Sequence, residues 1–373
     1  MKLKGTAMRV ILTALLTICL SIASAIGPSV SLAEPIDKSQ ETQEQALAFR
    51  DQNEFGMLMW DTLETYPQFV ADFAWEGDHG SVLTTADGLS VIRDFFSRQN
   101  TDLKITFTVG QPGVIAYFDR ASVEMSIIAA LNDANVVPLN AYYDPYLDKV
   151  VAIVLEQGRE EAAQRIEQVV ARASKSVEVR YGNVEDVVQL DATNGGRGYQ
   201  ACTGAFIAMI GSSYGILTAS HFTTIPAKYH DSIPTGATVS AVSGNNAYDI
   251  RFTYLAGDSA TNQVMIDSSG VLRTITNTGV VSTGMYLNKW GFGTGFQLAY
   301  VSGYAGCVTT ITSQTFCGQY YTSSKVTDGG DSGGPWFSGN TAYGVHSGHT
   351  ASASYFTPIA YAMNIANLKI RLS

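Results

Sequence analysis

The chain has 373 residues, 46% of them hydrophobic, and a net charge of −10, so it is long enough for two or three domains. It has no basic stripe, which excludes a nucleic-acid binder of the electrostatic kind. The charge is uneven: all thirteen glutamates lie between Glu34 and Glu185, and from Asp186 onward eight aspartates balance eight Lys plus Arg.

Lys2, Lys4 and Arg9 precede an apolar stretch from Val10 to about Ile26, with small residues ending at Ser31-Leu32-Ala33 before Glu34. Positive start, apolar middle and small-residue end predict a secretory signal peptide over 1–33, with Ala23-Ser24-Ala25 as a second cleavage site. No later apolar run is long enough to span a membrane. A secreted, extracellular protein is expected, with no membrane attachment after signal removal.

From Glu34 to about Asn100 the sequence is polar and mixed. Glu41 to about Trp60 predicts a helix whose apolar side carries Ala46, Phe49, Met57 and Met59, and Asp94 to Ser97 the end of another. Lys104 to Val109 alternates as a strand that Val114 to Phe118 extends. Ala121 to Asn132 carries Val123, Ile127, Ile128 and Leu131 at helical spacing. Val136 to Tyr143 and Asp148 to Leu155 read as strands, Arg159 to Ala173 as an amphipathic helix, and Ser176 to Tyr181 as a closing strand. Strand, helix, two strands, helix, strand is a ferredoxin-like order, expected over about 104–182.

Asn194-Gly195-Gly196-Arg197-Gly198 is suited to proteolytic nicking and marks a junction. From Tyr199 to Leu372 short alternating apolar runs are broken by Gly, Ser, Thr and Asn, the pattern of an all-β region. Setting aside Cys19 in the signal, three cysteines remain. Cys307 and Cys317 are expected to close a hairpin disulfide in an exported protein.

The chemistry centres on Val326-Thr327-Asp328-Gly329-Gly330-Asp331-Ser332-Gly333-Gly334-Pro335. A serine among glycines is exposed on a tight turn that aims backbone N–H groups at one point, as acyl transfer requires. On this geometry Ser332 is the nucleophile, and the amides of Gly330 and Ser332 form the oxyanion hole. Upstream, Gly215-Ile216-Leu217-Thr218-Ala219-Ser220-His221 is an apolar strand ending in a histidine. Asn246-Ala247-Tyr248-Asp249-Ile250-Arg251-Phe252 places an aspartate at the start of a β-prone run.

The order His, Asp, Ser with these local sequences resembles the chymotrypsin-like serine proteases, and among them the secreted bacterial streptogrisin and α-lytic protease branch. The resemblance implies His221 as general base and Asp249 as its orienting carboxylate, with Asp231 or Asp258 as alternatives for that role. It implies a domain of two six-stranded antiparallel barrels over 186–373, ending in a helix from Ala360 to Ile370. A pro-region over 34–185 is implied as folding aid and inhibitor. The region Lys289-Trp290-Gly291-Phe292-Gly293-Thr294-Gly295 matches a stretch where relatives carry an arginine paired with the buried aspartate beside the nucleophile. By that match Lys289 pairs with Asp331. Relatives bridge a cysteine at the position of Cys202 to one where Phe222 stands here, so Cys202 is expected to be a buried free thiol.

By the same resemblance Ser347, Gly348 and His349 form the strand that pairs with substrate and walls the primary pocket. His346, just before it, stands where relatives that cleave after glutamate carry a histidine. A glutamate preference fits a mature region without glutamate and a maturation cut at Glu185. A broad or hydrophobic pocket with a structural His346 is the competing reading. His79 and His230 are expected at the surface, and no His/Cys/carboxylate cluster has metal-ligand spacing. The expectation is therefore a monomeric serine endopeptidase acting on proteins or peptides, without cofactor, metal or nucleic acid. The alternative is a catalytically silent homologue that binds peptides or surfaces. A secreted esterase is disfavoured because Gly-Asp-Ser-Gly-Gly lacks the Gly-x-Ser-x-Gly elbow.

Overall fold

The computed structural model describes residues 43–190, 203–222, 233–243, 246–256, 261–265, 271–365 and 367–372. The signal segment, Asn194 to Gly198, Cys202, His230, Asp231 and Asp258 lie outside them. Helix α1 (Gln43–Thr65) runs further than the expected Glu41 to Trp60. It buries Phe55, Met59 and Leu63, which recur every four residues and so share one face. Next come β1 (Val70–Trp75), β2 (Gly80–Thr84), α2 (Leu89–Ser97) and β3 (Ile105–Val109). β2 pairs antiparallel with β1 and parallel with β3, making a separate three-stranded sheet.

Helix α3 (Arg120–Asp133), β4 (Pro138–Asp144), β5 (Lys149–Leu155), α4 (Arg159–Arg172) and β6 (Ser176–Gly182) follow in the predicted order. In α3 the buried positions Arg120, Ala121, Glu124, Ile127, Ile128 and Leu131 recur at three- and four-residue spacing. In α4 Glu160 and Glu161 occupy the first turn and Arg172 the last, which suits the helix dipole. β5 pairs antiparallel with β4 and parallel with β6.

The ferredoxin-like sheet nevertheless does not form. β3, which it needs, is taken by β2 in the other sheet, and Val114 to Phe118 is irregular backbone and turn rather than strand. The other edge of β4 pairs instead with a strand from far down the chain, Cys307 opposite Ala141 and Val308 opposite Asn140. Gly306 permits this approach: it has φ of 71°, and a Cβ there would sit 2.3 Å from the Ala141 carbonyl oxygen.

The remainder is built from β7 (Gln189–Leu190), β8 (Ile207–Ile210), β9 (Ser213–Thr218), β10 (Ile233–Ser243), β11 (Asn246–Ala256), β12 (Gln263–Met265) and β13 (Leu272–Thr274). It continues with β14 (Asn277–Thr278), β15 (Tyr286–Gly291), β16 (Gly295–Thr309), β17 (Thr315–Thr322), β18 (Pro335–Ser338), β19 (Thr341–His349), β20 (Ser354–Pro358) and β21 (Leu368–Ile370). The expected all-β, two-barrel domain with a discrete α+β pro-region is corrected by the pairing of these strands. β21, β8, β9 and β11 run in open order and continue through β17 into a sheet of 16 strands that ends on β4, β5 and β6. The architecture is mixed α/β, one large sheet shared by both halves of the chain with helices packed on it.

The helix expected from Ala360 to Ile370 is replaced by a 3-10 turn (Ile359–Asn364) and β21. Pro358 precedes the turn, Asn367 has φ of 60°, and the open edge of β8 captures Leu368 to Ile370 in antiparallel register. The main apolar core of the described residues runs from Phe55 to Ile365, with small clusters at Val188, Ala305 and Val308 and at Ile216 and Leu255. Tyr361 sits at the middle of the main core, stacked on Tyr248 at 4.3 Å and on Tyr117 at 6.1 Å. Residues Glu44–Ser373 form one compact unit. Among the described residues no helix is long and apolar enough to cross a membrane.

Candidate active site

β9 and β11 pair antiparallel with Arg251 opposite Thr218, and extending that register sets Asp249 beside the Ser220-His221 corner. His221 Nδ1 lies 2.7 Å from Asp249 Oδ2, and both side chains are fully buried. The other carboxylate oxygen accepts the backbone N–H groups of Ser220 at 2.7 Å and His221 at 2.9 Å, and the Ser220 hydroxyl at 3.0 Å. Burial by itself pushes the Asp249 carboxyl up. The facing His221 imidazole and these hydrogen bonds outweigh it and hold the group below its ordinary value. The aspartate thus stays ionised and fixes the imidazole, while His221 Nε2 is buried with no hydrogen-bond partner among the described residues.

The serine sits on the loop between β17 and β18. Its Oγ donates to the Ser347 carbonyl at 2.9 Å. The loop is wound tightly: Gly334 N–H donates to the Asp331 carbonyl, and Gly333 N–H to the His346 carbonyl. Gly330 has φ of 102° and Gly333 φ of 81°, conformations that favour glycine. At Gly333 space adds to the requirement, since a Cβ would meet Thr218 Oγ1 at 2.2 Å and the Thr203 carbonyl at 2.3 Å. The N–H groups of Gly330 and Ser332 make no hydrogen bond among the described residues.

Asp331, wholly buried, has a full set of partners. Lys289 Nζ is 2.8 Å from Oδ2, the Thr294 hydroxyl 2.5 Å and the Asp328 N–H 3.0 Å. Oδ1 accepts from Gly293 N–H at 2.7 Å and Thr294 N–H at 2.9 Å. Burial raises this carboxyl, and the Lys289 ammonium with the surrounding hydrogen bonds brings it below the ordinary carboxylate value. Lys289 also donates to Thr294 Oγ1. The lysine and aspartate named from the sequence are thus brought into contact.

Ser347 and Thr203 anchor the serine loop. Ser347 accepts from Ser332 Oγ through its carbonyl, and its hydroxyl pairs with the Thr357 hydroxyl at 3.3 Å. Thr203 donates N–H to the Ser332 carbonyl at 2.7 Å and its hydroxyl to the Gly330 carbonyl at 2.8 Å. Sequence reasoning missed Thr203, a small polar residue beside a cysteine, which no periodicity or motif marks out. Thr294 lay inside the quoted Lys289 to Gly295 stretch without a role.

His346, Ser347, Gly348 and His349 are consecutive on β19 and all buried. The His346 ring lies 6.1 Å from Trp336, which itself stacks on Phe356 at 4.6 Å. β7 pairs antiparallel with the end of β19, Leu190 opposite Gly348 and Gln189 opposite His349, so a segment of the chain lies along this strand. The Cys307–Cys317 disulfide is present. His79 is partly exposed and faces Asp78 and Glu76. Among the described residues no three His, Cys, Asp or Glu side chains cluster as metal ligands.

A buried carboxylate–histidine pair and a glycine-framed serine, on a loop that Thr203 ties to the histidine strand, form a candidate site for nucleophilic acyl transfer. No family model and no curated protein matches the chain. Among solved structures it is similar to Thermobifida fusca protease A, with 24% identity, a TM-score of 0.39, and coverage of 49% of this chain and 98% of that one. It is similar to a glutamic acid specific serine protease described as using a novel histidine triad in substrate binding, with 24% identity, TM-score 0.38 and coverage of 46% and 93%. Nocardiopsis protease gives 25% identity, TM-score 0.38 and coverage of 50% and 98%. These likenesses do not single out the streptogrisin and α-lytic branch.

Proposed function

We propose that the chain is a secreted serine endopeptidase made as a zymogen, with Ser332 as nucleophile, His221 as general base and Asp249 as its orienter. The observation that carries this reading is the 2.7 Å pair of His221 Nδ1 with a buried, ionised Asp249, with Thr203 bonding both the Ser332 carbonyl and Thr218 on the histidine strand. Ser332 Oγ turns from the Ser347 carbonyl to His221 Nε2, gives up its proton there and attacks the peptide carbonyl carbon. The Gly330 and Ser332 amides stabilise the oxyanion. His221 then returns the proton to the leaving amine, and water hydrolyses the acyl-enzyme through the same base.

The zymogen reading, with 34–185 as pro-region and 186–373 as protease, is supported by β7 lying on the end of β19, where a substrate strand is expected. It is supported also by the pairing of β4 with β16. Glu185 lies in a 3-10 turn (Val184–Asp186), ahead of the segment on β19. A self-cut in this register falls beyond Leu190 rather than after Glu185, and so carries the end of the pro-region past Leu190. Preference for glutamate before the cut rests on His346 and on the absence of glutamate after residue 185. Packing of His346 beside Trp336 supports the competing hydrophobic pocket.

The test is to express the full chain, label it with a fluorophosphonate, and read the new termini it produces in a denatured protein mixture. Labelling at Ser332 with cuts after Glu supports both the protease and its acidic pocket. Labelling with cuts after Phe, Leu or Tyr keeps the protease and removes the glutamate preference. Folded, processed protein that neither labels nor cuts sinks the reading in favour of a silent peptide-binding homologue.

A further inference from the structure

We infer that Thr203 is a positioning residue for the oxyanion hole, an assignment that rests on the endopeptidase reading above. The two donors of that hole belong to Gly330 and Ser332, and their direction depends on the peptide planes of a loop rich in glycine. Glycine has the softest backbone of any residue, and Gly330 sits at φ of 102°. The Ser332 N–H shares its plane with the Asp331 carbonyl, which Gly334 N–H holds at 2.9 Å within the loop, but the peptides that follow Gly330 and Ser332 need a partner from outside it. The Asp331 carboxylate anchors its own side chain to Lys289, Thr294 and Gly293, but it leaves the carbonyls of Gly330 and Ser332 untouched.

Thr203 holds both of those carbonyls. Its hydroxyl donates to Gly330 O at 2.8 Å and its own N–H donates to Ser332 O at 2.7 Å. The hydroxyl is itself oriented, because it accepts the Phe292 N–H at 3.1 Å and so has its proton left for Gly330. The Thr203 carbonyl accepts the Thr218 hydroxyl at 3.0 Å, three residues before His221 on β9. One buried residue therefore registers the oxyanion loop against the strand that carries the base and against the loop after Lys289. Preorganised donors give transition-state stabilisation only if they do not have to reorient during the reaction. Without the hydroxyl, the Gly330–Asp331 peptide, which lies between the two peptides that carry the Gly330 and Ser332 N–H groups, is free to rock, and both donors spend time off the oxyanion.

The experiment compares Thr203→Val and Thr203→Ser in the full-length, self-processed protein, with rates normalised to fluorophosphonate-titrated sites. The valine variant should lose roughly 10- to 100-fold in kcat with little change in KM. Affinity for a peptide boronate, whose tetrahedral adduct fills the oxyanion hole, should fall by the matching factor. Serine, which keeps the hydroxyl, should restore both. Wild-type kcat in the valine variant, a loss confined to KM, or a serine variant as impaired as valine would each overturn the inference. Thr203→Ala replaces valine if that variant does not mature, and failure of both to mature assigns Thr203 to folding and also overturns it. A wild-type chain inert to the phosphonate would sink the endopeptidase reading itself, whereas an active one with indifferent Thr203 variants sinks only this inference.

Discussion

Two carboxylates, Asp331 and Glu124, are completely buried, and each lies near a completely buried cation, yet they end in opposite states. Asp331, in the serine loop, is held below the ordinary carboxylate value, whereas Glu124, on α3, is pushed up to about 7. Burial acts on both in the same direction. The difference lies in the donors. Asp331 accepts three backbone N–H groups, a threonine hydroxyl and the Lys289 ammonium. Glu124 accepts Tyr143 N–H at 3.0 Å and the Tyr304 hydroxyl at 3.1 Å. Its cation, Arg120, is turned elsewhere: between the rings of Tyr117 and Tyr304, 4.1 and 3.6 Å from their centres, and toward Asp72 and Tyr320. Desolvation wins wherever direct donors are few, and the same burial is reversed where they are many.

The largest test of this contrast is Lys289→Met. It leaves Asp331 buried without its cation, and stability should fall by about 3–5 kcal/mol in chemical denaturation. A loss below about 1 kcal/mol would mean that the backbone donors alone carry the carboxylate.

The pH dependence should have opposite signs in the two regions. Because Glu124 is raised from 4.5 to about 7, its contribution is complete below pH 4.5 and lost as pH rises through about 7. The loss is on the order of 3 kcal/mol. Asp249 and Asp331, both lowered, contribute above 3.8 and lose that contribution as pH falls below it. Glu124→Gln should flatten the slope between pH 4.5 and 7 while leaving acid unfolding in place. An unchanged slope in denaturation curves across this range would remove Glu124 from the account.

Thr294→Val takes one hydroxyl from Asp331 and should cost about 1.5–3 kcal/mol, the range for a hydrogen bond to a charged group. Its catalytic effect, read as kcat on a peptide substrate, reports how far the Asp331 network holds the Ser332 loop. The smallest change is expected from Tyr304→Phe. Removing that donor from Glu124 should cost about 1.5 kcal/mol at pH 8, where the carboxyl is ionised, and about 0.5 kcal/mol at pH 4, where it is protonated. Equal losses at both pH values would point to ring packing on Arg120 instead.

Much of the site was legible in the chain. The Gly329 to Pro335 run, the His221 strand and Asp249 each carry a local pattern, and in the structure Asp249 meets His221 while Thr203 joins the serine run to the His221 strand. A buried Asp331 demands a cation, and Lys289 was singled out for that role by the resemblance of its stretch to relatives that carry an arginine there. Thr203 was not, since its role consists of contacts with residues 15 to about 130 positions away and needs only a hydroxyl and an N–H. Nor could the sequence show that β7 lies along β19, because a two-residue strand has no periodicity to detect.

Local chemistry determined what the sequence alone could settle: the period of 3.6 in α3 and α4, the period of 2 in β4, and the glycine-framed serine. Each depends on residues within one or two turns of each other. The partners of these elements were decided only in the folded molecule. β3 went to β2, β16 to the edge of β4, and Leu368 to Ile370 to β8 rather than into a helix. Strand edges are interchangeable hydrogen-bonding surfaces, so which two meet depends on the competition among all edges present at once, which no single stretch of sequence contains.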